Sequence, residues 1–295
     1  MSLAAAVAIA SPALARKGRP LPAAEPTTVG AEGVLLDAMD DNAPESITLG
    51  GVTVSVVSKP AGDGFTTPLF LLEDASGELF EFEGEETHFG FLPVTVRIAQ
   101  LDPTTPELEV LTTSYTGGAH CCDRIQIASI DDSGRWSVQE LGMFDGGYRL
   151  TDFNDDGIGE ITVRDQSFLY TFDAYAGSWA PPQIFSLKTG ALTDVSDEPA
   201  YVSAFIEEIG AFRPEEHRDR PGGLAGWAAM EARLGRGDAA LQTIASFNVN
   251  PDFPYEVCLT GGSAFDCSPK QLRHMNFDDY LRRHLTEHGY LEAAQ

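Results

Sequence analysis

Between residues 152 and 160 the chain reads Asp-Phe-Asn-Asp-Asp-Gly-Ile-Gly-Glu, which places side-chain oxygens at Asp152, Asn154, Asp156 and Glu160. A hard cation such as Ca2+ takes several oxygens at short range, and alternate residues of a tight loop supply them. Gly157 permits the sharp backbone turn that lets the Ile158 carbonyl join the set. Carboxylates packed this closely repel one another unless a cation sits among them. The pattern points to calcium held by Asp152, Asn154, Asp156, Ile158 and Glu160. The alternative is a polar loop whose Asp and Asn side chains cap their own turn.

Spacing separates this loop from an EF-hand. An EF-hand needs a bidentate Glu at loop position twelve, and Val163 stands there. The acid comes earlier, at Glu160, and Ile161-Thr162-Val163-Arg164 follows it with the alternation of a strand. A loop of this kind leading into a strand resembles the FG-GAP or VCBS type of repeat, as in the integrin alpha-chain propeller. That resemblance covers about ten residues and implies calcium between adjacent strands. A second copy has the same frame: in residues 98–113, Asp102 and Glu109 align with Asp152 and Glu160. Here Thr104 replaces Asn154 and prolines replace the Asp-Gly step, so this loop is expected to be metal-free.

Strand candidates surround both loops. Residues 124–130 and 135–138 flank the turn Asp131-Asp132-Ser133-Gly134. Residues 183–187 and 191–195 flank Lys188-Thr189-Gly190, and 69–72 and 78–82 flank a turn that contains Gly77. A period near fifty residues suits a propeller blade, yet only two and a half to three such units fit between 48 and 196. A closed propeller typically needs at least four. The expected fold class is α+β: an N-terminal antiparallel β-sheet domain of propeller-like repeats, an incomplete propeller or sandwich-like, followed by a small α-helical C-terminal region.

Composition sets the outer bounds. Residues 1–15 read as a signal peptide with a degenerate or truncated start, ending in the small-x-small site Ala13-Leu14-Ala15. Residues 16–47 read as a flexible lead-in, 48–196 as the β-repeat domain and 197–295 as the helical region. A periplasmic or extracellular location follows. No other segment is long and apolar enough for a membrane span. The net charge of −26 falls mostly before residue 213, where 33 Asp and Glu stand against 10 Lys and Arg. Such acidity repels phosphate and disfavours nucleic acid; a saline habitat would explain it equally well.

Four cysteines in an exported chain suggest disulfides. Cys258 and Cys267 flank a glycine-rich loop and are expected to pair. For the adjacent Cys121 and Cys122, a vicinal bond, cross-pairing and two buried thiols stand as alternatives. Tyr115-Thr116-Gly117-Gly118-Ala119-His120-Cys121-Cys122, with Phe168 to Ala176 downstream, resembles a set of uncharacterised secreted bacterial proteins in which this glycine-rich segment precedes an Asp-rich loop. That likeness implies architecture, not chemistry.

In the tail, Tyr201, Val202, Phe205, Ile206, Ile209 and Phe212 form an apolar stripe at helical spacing. Leu224–Leu234 and Ala239–Phe247 read as a helical hairpin with Asp238 as N-cap. Ser268-Pro269 reads as the start of a last helix carrying Leu272, Met275, Tyr280, Leu281, Leu285 and Tyr290. His274, His284 and His288 are expected on its solvated face, since no Glu or Cys joins them at metal-site spacing.

No Gly-x-Ser-x-Gly elbow, His-Glu-x-x-His pair or phosphate-binding glycine loop is present. The sequence therefore reads as an exported, calcium-stabilised, non-enzymatic module that binds a protein or glycan partner. The alternative is a thiol or metal-dependent enzyme using His120-Cys121-Cys122, with Asp165 and Asp173 as generic acid candidates.

Overall fold

The computed structural model describes residues 33–37, 46–88, 93–118, 122–249, 255–260 and 267–292. The expected signal peptide, most of the lead-in, His120 and Cys121 lie outside them. The first sheet is a meander of β2 (Ser46–Leu49), β3 (Val52–Gly62), β4 (Phe65–Glu73) and β5 (Leu79–Glu83). The second joins β6 (Val94–Ala99), β7 (Glu109–Tyr115), β8 (Asp123–Ile130) and β9 (Trp136–Phe144), with β1 (Val34–Asp37) added at the β6 edge. The third contains β10 (Arg149–Thr151), β11 (Glu160–Arg164), β12 (Pro182–Lys188) and β13 (Ala191–Asp194). All pairings within these sheets are antiparallel.

Turn chemistry fixes the meanders. Asp74 and Asp131 play the same part in the β4–β5 and β8–β9 hairpins. Each Oδ1 accepts the amide and hydroxyl of the Ser two residues on and the amide four residues on. Gly77 and Gly134 follow with positive φ, as the turn requires. These hairpins and the β12–β13 hairpin stand where the sequence predicts them.

The sheets stack in chain order. Ile47, Val54, Phe70 and Leu72 of the first pack on Val94, Val96, Ile98 and Val110 of the second. The second sheet's other face, with Leu111, Ile125 and Ile127, packs on Leu150, Ile161, Val163 and Leu187 of the third. Strand β7 therefore lies between two cores, which accounts for its unbroken run of buried residues from Glu109 to Ser114. Each large apolar side chain so buried contributes about 1.5–3 kcal/mol. The outer face of the third sheet carries Ile184, which packs with Tyr201, Phe205 and Met230 of the helical region. No closed propeller forms among the described residues.

Four short helices follow: α1 (Val202–Ile209), α2 (Pro221–Arg233), α3 (Gly237–Ala245) and α4 (Phe277–Glu287). Three expectations for the tail are corrected. Ile206 belongs to the expected stripe but is 56% exposed, because α1 is only two turns long and buries one narrow face. Asp238 lies in the first turn of α3, whose N-cap is Arg236. The segment after Ser268-Pro269 is not helical: Leu272–Met275 forms β15, which pairs with β14 (Tyr255–Cys258). Helix α4 begins only after Asn276, whose side chain caps it by accepting the Asp279 amide at 2.8 Å. Residues three apart share a helix face but point to opposite faces of a strand, and the backbone pairing with Tyr255–Cys258 overrides the helical spacing here. No helix among the described residues is long and apolar enough to cross a membrane.

Candidate functional site

The loop between β10 and β11 carries the expected ligands. Asp155 and Gly157 both adopt positive φ, 59° and 86°, which curls the chain around its own oxygens. Asp152 accepts the amides of Asp156 (3.1 Å) and Gly157 (2.8 Å). Asn154 Oδ1 accepts the Asp156 amide (3.1 Å), and Asp156 Oδ1 accepts the Ile158 amide (2.8 Å). Residues 154–157 are exposed, whereas Glu160 is buried at the start of β11. Glu160 accepts the Phe153 amide (3.1 Å) and the Tyr201 hydroxyl (3.2 Å). Burial pushes its carboxyl up, and the charges of Asp156 and Asp152 push the same way. Among the described residues, no three His, Cys, Asp or Glu side chains stand together as ready ligands for one ion. The donor set nonetheless suits a hard cation, which would compete with the turn's own amides for these oxygens.

The loop between β6 and β7 occupies the same place in the preceding sheet, and it is closed. Asp102 and Glu109 are fully buried. Glu109 Oε2 accepts the amides of Leu101 (2.6 Å) and Asp102 (3.0 Å), and its Oε1 accepts the Thr105 hydroxyl (3.1 Å). Asp102 accepts the Thr104 amide and, from the β12–β13 turn, the Gly190 amide, both at 2.8 Å. Burial is the main influence on Glu109 and lifts its carboxyl to about 7. Protein donors fill the positions that a cation would take.

The remaining sequence candidates separate. Cys258 and Cys267 are bonded, with Cα atoms 5.7 Å apart. Cys122 is disulfide-bonded too. The solvated-face expectation fails for His284, which is only 7% exposed. Its ring meets Phe168 and Phe172 edge-on at 4.7 and 5.0 Å and lies 4.3 Å from His288. Burial, with a smaller push from His288, lowers it to about 4, so it is neutral at pH 7. Phe168 and Phe172 lie more than a hundred residues away in sequence, beyond the reach of helical periodicity. Asp165 is buried and accepts the Ser167 amide (2.9 Å) and the Tyr290 hydroxyl (2.8 Å), a structural arrangement.

The sequence shows the long β11–β12 connection, residues 165–181, only through Asp165, Asp173 and the resemblance at Phe168 to Ala176; the surface it builds is not legible there. The connection packs against α2, and a trough opens beside it, bordered by Tyr175, Trp179, Phe212 and His217. The available signal was length, because a connection of this size without regular structure inside a hairpin is commonly functional.

Comparison with known proteins adds a family likeness in the tail. Residues 203–289 match the family model described as the sll0997 C-terminal domain. The chain is 34% identical over 221 residues to "Probable thylakoid lumen protein sll0997" of Synechocystis sp., covering 72% of this chain and 64% of that protein. It is 30% identical over 257 residues to "Uncharacterized protein y4bJ" of Sinorhizobium fredii, covering 84% of this chain and 40% of that protein. The chain thus spans less than two thirds of the length of either relative. No solved structure matches. These findings overturn the FG-GAP/VCBS resemblance, since the similarity runs to the sll0997 type of protein instead. The error has a physical origin: Asp and Asn at alternate positions followed by Gly arise wherever side chains cap a tight turn into a strand.

Proposed function

We propose that the chain is an exported, non-enzymatic binding module in which calcium, held by Asp152, Asn154, Asp156, the Ile158 carbonyl and Glu160, stiffens the entry to β11. The observation that carries this reading is the contrast between two equivalent loops. In one, both acids are buried and taken up by protein donors, while the other keeps Asn154 and Asp156 exposed on a turn of the same position. Glu160 would transmit the stiffening to the helices, because Tyr201 bonds it just before α1. In this reading the three meanders, residues 48–196, are propeller-like units in an open stack, and residues 197–295 cover its last sheet.

Export is supported by the small-x-small site at Ala13-Leu14-Ala15, by the disulfides, and by the lumenal name of one relative. Oxidised Cys122 speaks for the module over thiol chemistry. The test is thermal unfolding of the exported form in calcium and in EDTA. Chelation is expected to lower the melting temperature, and Asp156→Ala to abolish that difference. Identical curves for the unaltered protein would refute the calcium site.

A further inference from the structure

The trough beside the β11–β12 connection has two neighbouring lobes of about 610 and 360 Å3, which share Ala176, Ser178 and Trp179 in their walls. Both volumes fall in the range of small-molecule sites. Four flat rings, Tyr175, Trp179, Phe212 and His217, line it beside charged groups that include Arg164 and Arg220. Trp179 and Phe212 lie 4.9 Å apart, and the His217 ring stacks on Phe212 at 4.5 Å with planes 19° apart. At the other end Tyr175 stands 5.5 Å from Tyr170, which is 60% exposed and holds φ at 58°. A bulky residue in that conformation is an outlier of the kind found at ligand sites.

The floor is rigid. A Cβ on Gly222 would come within 2.3 Å of the Gly177 carbonyl oxygen, and one on Gly226 within 2.2 Å of the Trp179 carbonyl oxygen. Helix α2 therefore presses directly on the backbone of the connection. Trp179 is further fixed by its indole N–H, which donates to Glu208 at 3.2 Å, and Glu208 is gripped by Arg164. Such a surface loses little entropy when a ligand arrives.

We infer that this trough binds a neutral oligosaccharide. Aromatic faces cover the C–H face of a sugar ring, while the Asp145 and Asp173 carboxylates at the two lobes, which already accept the Tyr175 hydroxyl and the Ala174 amide, have lone pairs left to accept from its hydroxyls. A neutral ligand meets no repulsion from a chain of charge −26, whereas an anionic one would. The trough is open along its length, which suits a chain of sugars. This site is separate from the calcium loop and does not depend on it.

The test uses the full exported chain and a panel of neutral hexasaccharides of glucose, mannose, xylose and N-acetylglucosamine. Binding is followed by tryptophan fluorescence and calorimetry. At least one sugar is expected to bind and to shift the emission. Tyr175→Ala and His217→Ala, both near the surface, are each expected to weaken it about tenfold, with unchanged melting temperature. Trp179→Phe is expected to remove the fluorescence response. No binding by any sugar at millimolar concentration would overturn the inference. So would sugar binding untouched by both alanine variants, or binding of a proline-rich peptide at this site in place of sugars.

Discussion

The loops at 102–109 and 152–160 sit at the same step of successive sheets, each joining a short first strand to a buried second one. They solve the same electrostatic problem in opposite ways. The earlier loop buries both acids and surrounds them with amides and hydroxyls, including one amide borrowed from the β12–β13 turn. The later loop buries only its last acid and leaves the others at the surface. A carboxylate can be kept inside a fold by fixed protein dipoles or stay at the surface, where water and the amides of its own turn satisfy it. The difference teaches that the frame Asp–turn–acid–strand belongs to the architecture, and that the residues inside the turn decide what fills it.

The contrast can be broken most forcefully at Asp102. Asp102→Ala removes the acceptor of the Thr104 amide and hydroxyl and of the half-buried Gly190 amide, three bonds in all, and should cost about 3 kcal/mol in denaturant unfolding, with or without calcium. A calcium-dependent loss would erase the distinction between the loops. Next comes the cation itself. If affinity is that of an extracellular module, saturating calcium should add about 2 kcal/mol, raising the melting temperature by roughly 5 °C. Asp156→Ala should remove this gain while leaving the calcium-free protein within about 0.5 kcal/mol of the parent.

Protonation sharpens the comparison further. Glu109 titrates near 7 when folded and near 4.5 when unfolded. Its folded pKa is raised, so its stabilising contribution is complete below pH 4.5 and is lost as pH rises through 7. Glu109→Gln should therefore gain about 3 kcal/mol at pH 8 relative to its effect at pH 4; equal effects at both pH values would show that the carboxyl is not held protonated. The smallest change is Tyr201→Phe, which removes one hydroxyl from Glu160 and should cost about 1 kcal/mol. In calcium titrations this variant is also expected to bind more weakly, and unchanged affinity would uncouple the helices from the loop.

Much of the β-region was legible because its turns are chemical. Asp-x-Ser-Gly at 74–77 and 131–134 announces hairpins through side chains that bond their own backbone, and Thr189-Gly190 does so through a glycine suited to positive φ. The Asp-rich loop was legible as a strand entry, though its short motif pointed to the wrong family. What stayed hidden depends on distant partners. Strand β15 exists because Tyr255–Cys258 comes back to meet it, and a four-residue window containing Leu272 and Met275 carries no trace of that. His284 is buried by Phe168 and Phe172, which belong to another part of the chain. The trough escaped for the same reason: Trp179, Phe212 and His217 become neighbours only when α2 settles on Gly177.

Strand β1 precedes the first sheet in sequence but completes the second, running antiparallel to β6 with Val34 opposite Ile98. During synthesis this stretch leaves the ribosome early and has no docking site until some sixty further residues have emerged. Until then its amides and carbonyls form an uncovered edge, open to pairing with a neighbouring chain. Export in an unfolded state would postpone that hazard to the far side of the membrane, where the whole chain is present and the strand can snap into its own slot.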